Sequence, residues 1–157
     1  MKTAIYPGSF DPITNGHLDV LKRSLEVFDH VILLLAANPN KKSTFSIDER
    51  LSFMKQATEG LGNVSVDFTD GLTVRYAVEH SAHHVIRGLR AVTDFEYEFQ
   101  LAAANEYADP SVDMVFFMAH REQSFISSST VSELFYNGVD VASLVPTCVL
   151  KAYKEKK

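Results

Sequence analysis

One cysteine, Cys148, stands in a chain of 157 residues, so no intrachain disulfide can form and no cysteine-based zinc cluster can be built. Its neighbours are apolar, which predicts a buried, inert thiol and not a nucleophile. Long basic blocks are missing too: 15 Lys and Arg stand against 20 Asp and Glu, a formal charge of −5. Non-specific binding to nucleic acid by phosphate neutralisation is therefore not expected, although a local basic pocket stays open to the chain. The basic tail Lys151 to Lys157 reads as a solvated last helical turn. No apolar run approaches the ~20 residues of a membrane span, and no signal-peptide pattern opens the chain. No membrane partner and a cytoplasmic location are the resulting expectations. Repeats, linkers and low-complexity tracts are also lacking, which predicts a single domain over residues 1–157. With 46% hydrophobic and 22% charged residues, that domain has an ordinary soluble composition.

What is present alternates between two periods. Lys2 to Tyr6 is short, β-prone and mostly apolar, and Val31 to Ala37 is a continuous apolar run typical of a strand covered on both faces. Val64 to Phe68 alternates, His84 to Ile86 is short and β-like, and Val112 to Met118 is a fifth apolar strand. Between them lie helical stretches. Leu18, Leu21, Leu25 and Phe28 recur at helical spacing, and Ser46 to Glu49 fits a capping box for a helix running to about Glu59. Leu72 to Ser81 reads as a helix with Leu72, Tyr76 and Val78 as its apolar face. Phe95 to Ala108, Ser127 to Asn137 (stopped by Gly138) and Pro146 to Lys154 complete the set. Strands alternating with helices predict an α/β fold, a doubly wound, five-stranded parallel sheet with helices on both faces. Ligands in such sheets sit at the carboxyl ends of strands near a switch in strand order. The polar loops after Tyr6, Ala37, Ile86 and Met118 should therefore share one crevice.

The first of these loops, Tyr6 to His17, is rich in Gly, Pro, Ser, Asp and Asn and leads straight into a helix. Such a turn aims backbone N–H groups and the positive end of a helix dipole at one point, a natural seat for phosphate. Gly8 and Gly16 would allow close backbone approach, and Thr14 and His17, three apart, could contact one anion together. A purely structural βα turn is the alternative. Asp11 could approach a metal or serve the turn. In the second loop, Lys41 and Lys42 are either solvated or a point charge for phosphate. In the loop after the fourth strand, Arg87 and Arg90 flank Gly88 and Leu89; they suit phosphate oxygens, or pair with Glu96 or Glu98. After the fifth strand, the hydroxyls Ser127, Ser128, Ser129 and Thr130 open a helix, as caps or as anion donors. The remaining histidines, His30, His80, His83, His84 and His120, have no ligand-spaced partner.

Gly8-Ser9-Phe10-Asp11-Pro12 followed by Thr14-x-Gly16-His17 resembles the signature of the nucleotidylyltransferase superfamily. With Ile86-Arg87-Gly88-Leu89-Arg90, Asp94-Phe95-Glu96-Tyr97-Glu98 and Ser124-Phe125-Ile126-Ser127-Ser128-Ser129, the chain is similar over nearly its whole length to bacterial phosphopantetheine adenylyltransferases. The resemblance implies a Rossmann-like nucleotidylyltransferase fold with ATP and 4′-phosphopantetheine as partners. It implies that His17, Ser9 and Thr14 surround the reacting phosphates, with His17 stabilising the pentacoordinate state. By the same resemblance ATP is held by Ser9, Phe10, His17, Gly88, Leu89, Arg90, Glu98, Gln123, Ser124, Phe125, Ile126, Ser127, Ser128 and Ser129. The acceptor is held by Ser9, Lys41, Thr73 and Arg87. Ser9 departs from the threonine often found there but keeps the hydroxyl. Family members assemble as homohexamers, and Mg²⁺ would ride on the triphosphate, because no carboxylate cage is visible.

The loops contain no obvious nucleophile–base pair. A phosphate monoester, with a second pKa of about 6, is already ionised near neutrality and needs no general base. Catalysis then rests on in-line positioning and charge stabilisation as pyrophosphate departs. Two other readings compete: a sibling enzyme using nicotinamide mononucleotide or glycerol 3-phosphate, and a nucleotide-sensing module without catalysis.

Overall fold

β1 (Thr3–Gly8) and β2 (His30–Ala36) carry the alternation that decides the architecture. Ala4 and Tyr6 of β1 and Val31, Leu33 and Leu35 of β2 enter one apolar cluster, while Ile5, Ile32 and Leu34 enter a second on the opposite face of the sheet. Strands buried on both faces belong to a parallel sheet covered by helices on each side. The computed structural model describes residues 1–156 and, within them, the side chains of all but residues 92 and 93. β3 (Val64–Thr69), β4 (His84–Leu89) and β5 (Asp113–Met118) complete a five-stranded, all-parallel sheet in the order β3-β2-β1-β4-β5. The expected doubly wound α/β layer is what forms.

α1 (Asn15–Ser24), α2 (Ile47–Thr58), α5 (Ser128–Tyr136) and α6 (Thr147–Lys156) supply residues to the first cluster. α3 (Thr73–Glu79) supplies the second through Val74, Tyr76 and Ala77. α4 (Val92–Ala108) lies against β4 and β5. The capping box at Ser46 and Glu49 starts α2 as expected: the Ser46 hydroxyl accepts from Glu49 N–H at 3.1 Å, and the Glu49 carboxylate accepts from Ser46 N–H at 3.3 Å. Ser127 is the cap of α5, accepting from Thr130 N–H.

Some boundaries differ from the sequence reading, each for a physical reason. β1 runs on to Gly8 and β4 to Leu89, because pairing with a neighbour holds both extended: Gly8 lies opposite Leu35, and Arg87, Gly88 and Leu89 lie opposite Phe116, Phe117 and Met118. Arg87, Gly88 and Leu89 are thus strand residues and not loop residues. α3 begins at Thr73, so its inward positions are Val74 and Ala77, with Tyr76. Leu72 and Val78, expected inside, are 54% and 42% exposed. Cys148 is half-buried on α6 and not fully buried; burial still raises its thiol pKa, which favours the protonated, unreactive form. The basic tail is helical to Lys156, and Lys157 lies outside the described residues.

Strand order reverses between β1 and β4. These two strands pair only at Ala4 with His84 and Ile5 with Val85. Beyond that point they part, and the gap is where the site is built.

Candidate active site

From the parted ends of β1 and β4 a cavity of about 700 Å³ opens. Ser9, Phe10 and His17 line it from the β1–α1 turn, and Arg87, Gly88, Arg90 and Glu98 from β4 and α4. Gln123, Ile126, Ser127, Ser128 and Ser129 close it from the segment after β5. The N-termini of α1 and α5 therefore open onto one space, and both direct partial positive charge into it. A second, smaller cavity of about 280 Å³ is lined by Thr73, Leu72, Leu101, Asn105 and Met114. Pro7, Gly8, Ser9 and Arg87 belong to both walls, so the two spaces meet at the end of β1.

Local sequence sets His17 in place. Thr14 is the cap of α1; its hydroxyl accepts from His17 N–H at 3.3 Å, and its own N–H donates to His17 Nδ1 at 3.0 Å. A backbone donor on Nδ1 leaves that nitrogen unprotonated, so the neutral ring carries its proton on Nε2. Burial, then the positive charges of Arg90 and Arg87, push the His17 pKa down to about 4. At neutral pH His17 is an uncharged ring whose free polar edge is an Nε2–H donor. The Phe10 ring meets it edge-on at 4.9 Å, and Gly8 makes room for that ring, since a Cβ there would lie 3.1 Å from it.

Thr14 itself is fully buried and outside both cavity linings. The Thr14 hydroxyl caps the helix and faces His17 Nδ1 at 3.2 Å, so it is directed at the cap and lines neither cavity. The turn is braced from outside as well. Asp11 accepts from Thr44 and Phe45 N–H, both at 2.8 Å, so its carboxylate serves the turn. Ser128 Oγ donates to Pro12 C=O at 2.7 Å, and Arg50 Nη1 to Ser9 C=O at 3.0 Å.

The opposite wall is held by charge. Arg87 donates from Nε and Nη2 to the two oxygens of Glu98, at 2.8 and 2.6 Å. Burial opposes the Arg87 charge, but the Glu98 hydrogen bonds and charge more than offset it, and its pKa rises. The pairing with Glu98 that the sequence left as an alternative is thus the arrangement observed. Arg90 pairs with Asp94 and reaches Ile126 C=O at 3.3 Å.

Other expected residues stand apart from the larger cavity. Leu89 is buried within β4. Ser124 is exposed, its hydroxyl donating to Arg121 C=O, and Phe125 is exposed beside it. Lys41 and Lys42 are exposed in the loop after β2, which touches the cavity through Thr44.

A family model described as cytidylyltransferase-like matches residues 5–134. A phosphopantetheine adenylyltransferase of Syntrophomonas wolfei subsp. wolfei (strain DSM 2245B / Goettingen) is 47% identical over 156 residues, 99% of this chain and 97% of the relative. Its counterpart in Desulforudis audaxviator (strain MP104C) is 49% identical over 156 residues, 99% of this chain and 96% of that one. The chain belongs to the phosphopantetheine adenylyltransferase family.

Beyond the residues expected of that family, Tyr6, Asp94, Tyr97 and Ser132 also line the larger cavity. Tyr6, Asp94 and Tyr97 lay within stretches the sequence singled out, and Ser132 did not. Ser132 follows Ser128 by one helical turn, a spacing that could have marked it. Among the described residues, no group of three or more His, Cys, Asp or Glu is placed to hold a metal ion. The carboxylates of the larger cavity are already engaged: Asp11 with Thr44 and Phe45, Asp94 with Arg90, and Glu98 with Arg87.

Proposed function

We propose that the chain transfers the adenylyl group of ATP to 4′-phosphopantetheine, giving dephospho-coenzyme A and pyrophosphate. The observation that carries this reading is the pair of cavities with a common wall at Pro7, Gly8, Ser9 and Arg87. The larger space, with its two helix N-termini, suits a nucleotide triphosphate. The smaller is a cleft with apolar residues Ala36, Leu72, Val85, Leu101 and Met114 and only a few polar side chains, among them Thr73 and Asn105. That lining matches a slender chain with amide groups better than the ribose of nicotinamide mononucleotide or the bare glycerol of glycerol 3-phosphate.

In the reaction, an oxygen of the acceptor phosphate attacks the α-phosphorus of ATP. The bond from that phosphorus to the bridging oxygen breaks, and the electron pair leaves with pyrophosphate. His17 Nε2–H and Ser9 donate to the oxygens that gain charge. Arg90 and the Ser127–Ser129 segment hold the triphosphate. Arg87 sits at the junction to receive the acceptor phosphate through the guanidinium edge that Glu98 leaves free, and Lys41 adds a charge from the loop above. Magnesium enters as part of the substrate, carried on the triphosphate with its own waters, since the cavity carboxylates already have partners. It would offset negative charge there.

A chain of net charge −5 suits a cytoplasmic enzyme with no nucleic-acid partner. Among the described residues, no helix is long and apolar enough to cross a membrane. The exposed aromatics of α4, Phe95, Tyr97, Phe99 and Tyr107, would be covered in a homohexamer. The test offers MgATP with 4′-phosphopantetheine, nicotinamide mononucleotide or glycerol 3-phosphate and measures pyrophosphate. Release with the first alone is expected; release with another acceptor, or with none, overturns the reading.

A further inference from the structure

Arg50 is a charged side chain for which the reaction above has no use. It projects from α2 with only 4% of its surface exposed, lines neither cavity, and has no carboxylate within 4.0 Å among the described residues. Buried charges ordinarily find a counter-charge, because an uncompensated one is costly. Arg50 instead spans 41 residues of sequence to place Nη1 3.0 Å from the carbonyl of Ser9, with Nε 3.4 Å from Ser46 C=O in its own helix.

The Ser9 carbonyl shares a peptide plane with Phe10 N–H. That peptide is trans, the Asp11–Pro12 bond being the cis one among the described residues. In a trans plane C=O and N–H point in opposite directions. Holding the carbonyl toward α2 therefore turns Phe10 N–H away from α2, at a residue that lines the larger cavity. No acceptor for that N–H occurs among the described residues. Phe10 also has φ of 39°, in the left-handed region that non-glycine residues disfavour, so this peptide does not hold its orientation by local preference alone.

We propose that Arg50 is a positioning residue for the phosphate seat: its guanidinium locks the Ser9–Phe10 peptide so that Phe10 N–H donates to a phosphate of ATP, with a fixed positive charge directly behind that donor. The missing counter-charge of Arg50 is then the substrate's own phosphate. This rests on the adenylyl-transfer reading and adds a residue to it.

The proposal separates stability from turnover. An apolar side chain of similar length removes the desolvation cost of a buried cation, which offsets the two carbonyl hydrogen bonds it gives up. Arg50→Met should therefore melt at or above the wild-type temperature, while kcat falls on the order of 10- to 100-fold and ATP binding weakens about tenfold. The KM for the acceptor should stay within about twofold, and Arg50→Lys, which keeps a charged donor, should recover part of kcat. A folded Arg50→Met with wild-type kcat and ATP affinity overturns the proposal. So does a loss of turnover matched by a lower melting temperature. If Arg50→Met does not fold, Arg50→Gln is measured in its place, its shorter neutral amide giving up both charge and reach. Failure of both variants to fold assigns Arg50 a purely structural role and overturns the proposal as well. If the wild-type protein releases no pyrophosphate, it is the adenylyl-transfer reading that fails. Calorimetric titration of ATP into wild type and Arg50→Met then decides the Arg50 proposal separately.

Discussion

The β1–α1 turn and helix α4 both line the larger cavity, and they are held by opposite means. The turn is embedded: Thr14 and Ile13 are 0% and 1% exposed, Phe10 is 2% exposed, and bonds from Arg50, Ser128 and the Thr44–Phe45 backbone brace it from outside. Among its described side chains, α4 buries only Glu98 and leaves Phe95, Tyr97, Phe99 and Tyr107 in the open. The difference separates two tasks. Groups that must meet developing charge need positions fixed before the substrate arrives, and dense packing with bracing hydrogen bonds provides that. A helix attached by two ion pairs and a few sheet contacts belongs to the low-stability end of the molecule, where ligands have most influence.

The largest effect should come from the rigid wall. His17→Ala is expected to lower kcat on the order of 10²-fold or more in a protein that still folds, losing about 1 kcal/mol of stability with the Thr14 N–H partner. Near-normal turnover would remove the turn from the chemistry and erase the contrast. Next comes the link between the walls: Arg87→Ala should raise the acceptor KM about 10-fold or more while the KM for ATP moves less. The same change leaves the buried Glu98 without its partner, so hydrogen exchange across α4 should accelerate while the β1–α1 turn stays protected. Equal acceleration in both regions would mean they form one cooperative unit. Lys41→Ala, from an exposed loop, should raise the acceptor KM by only about threefold to tenfold. An effect as large as that of Arg87→Ala would show that the loop closes over the substrate.

The smallest effect concerns the proton on His17. Its pKa lies at about 4 in the fold against an ordinary 6.5. Between those values the unfolded chain binds a proton that the folded chain does not, so stability falls as pH drops from 6.5 toward 4. His17→Asn should flatten that part of the stability curve relative to wild type. Nitrogen NMR should show His17 as the neutral Nε2–H form at pH 6, and a ring already charged there would place it in a more open, less rigid wall.

Much of this contrast is legible in the chain's local patterns, and part of it is not. The apolar runs of β1 and β2 and the capping box at Ser46 are such patterns, and they fold as they read. The loops after β1, β4 and β5 do converge on one cavity, because a parallel sheet puts every strand's carboxyl end on the same side. The placement of Thr14 is not legible in spacing: a cap and an anion ligand use the same hydroxyl, and in the fold that hydroxyl caps α1. The length of β4 is hidden as well. Arg87 and Gly88 look like loop residues by composition and stay extended only because β5 lies alongside them.

The order of elements, the parallel layered sheet and the families of polar loops at its edge follow from the sequence alone, since each depends on residues a few positions apart. Tertiary structure decided the rest. It turned Thr14 inward and left Lys41 in solvent, closed Arg87 onto Glu98, and brought Arg50 to Ser9 across 41 residues. Those outcomes depend on the distances and angles at which separate helices settle against the sheet, and no local pattern encodes them.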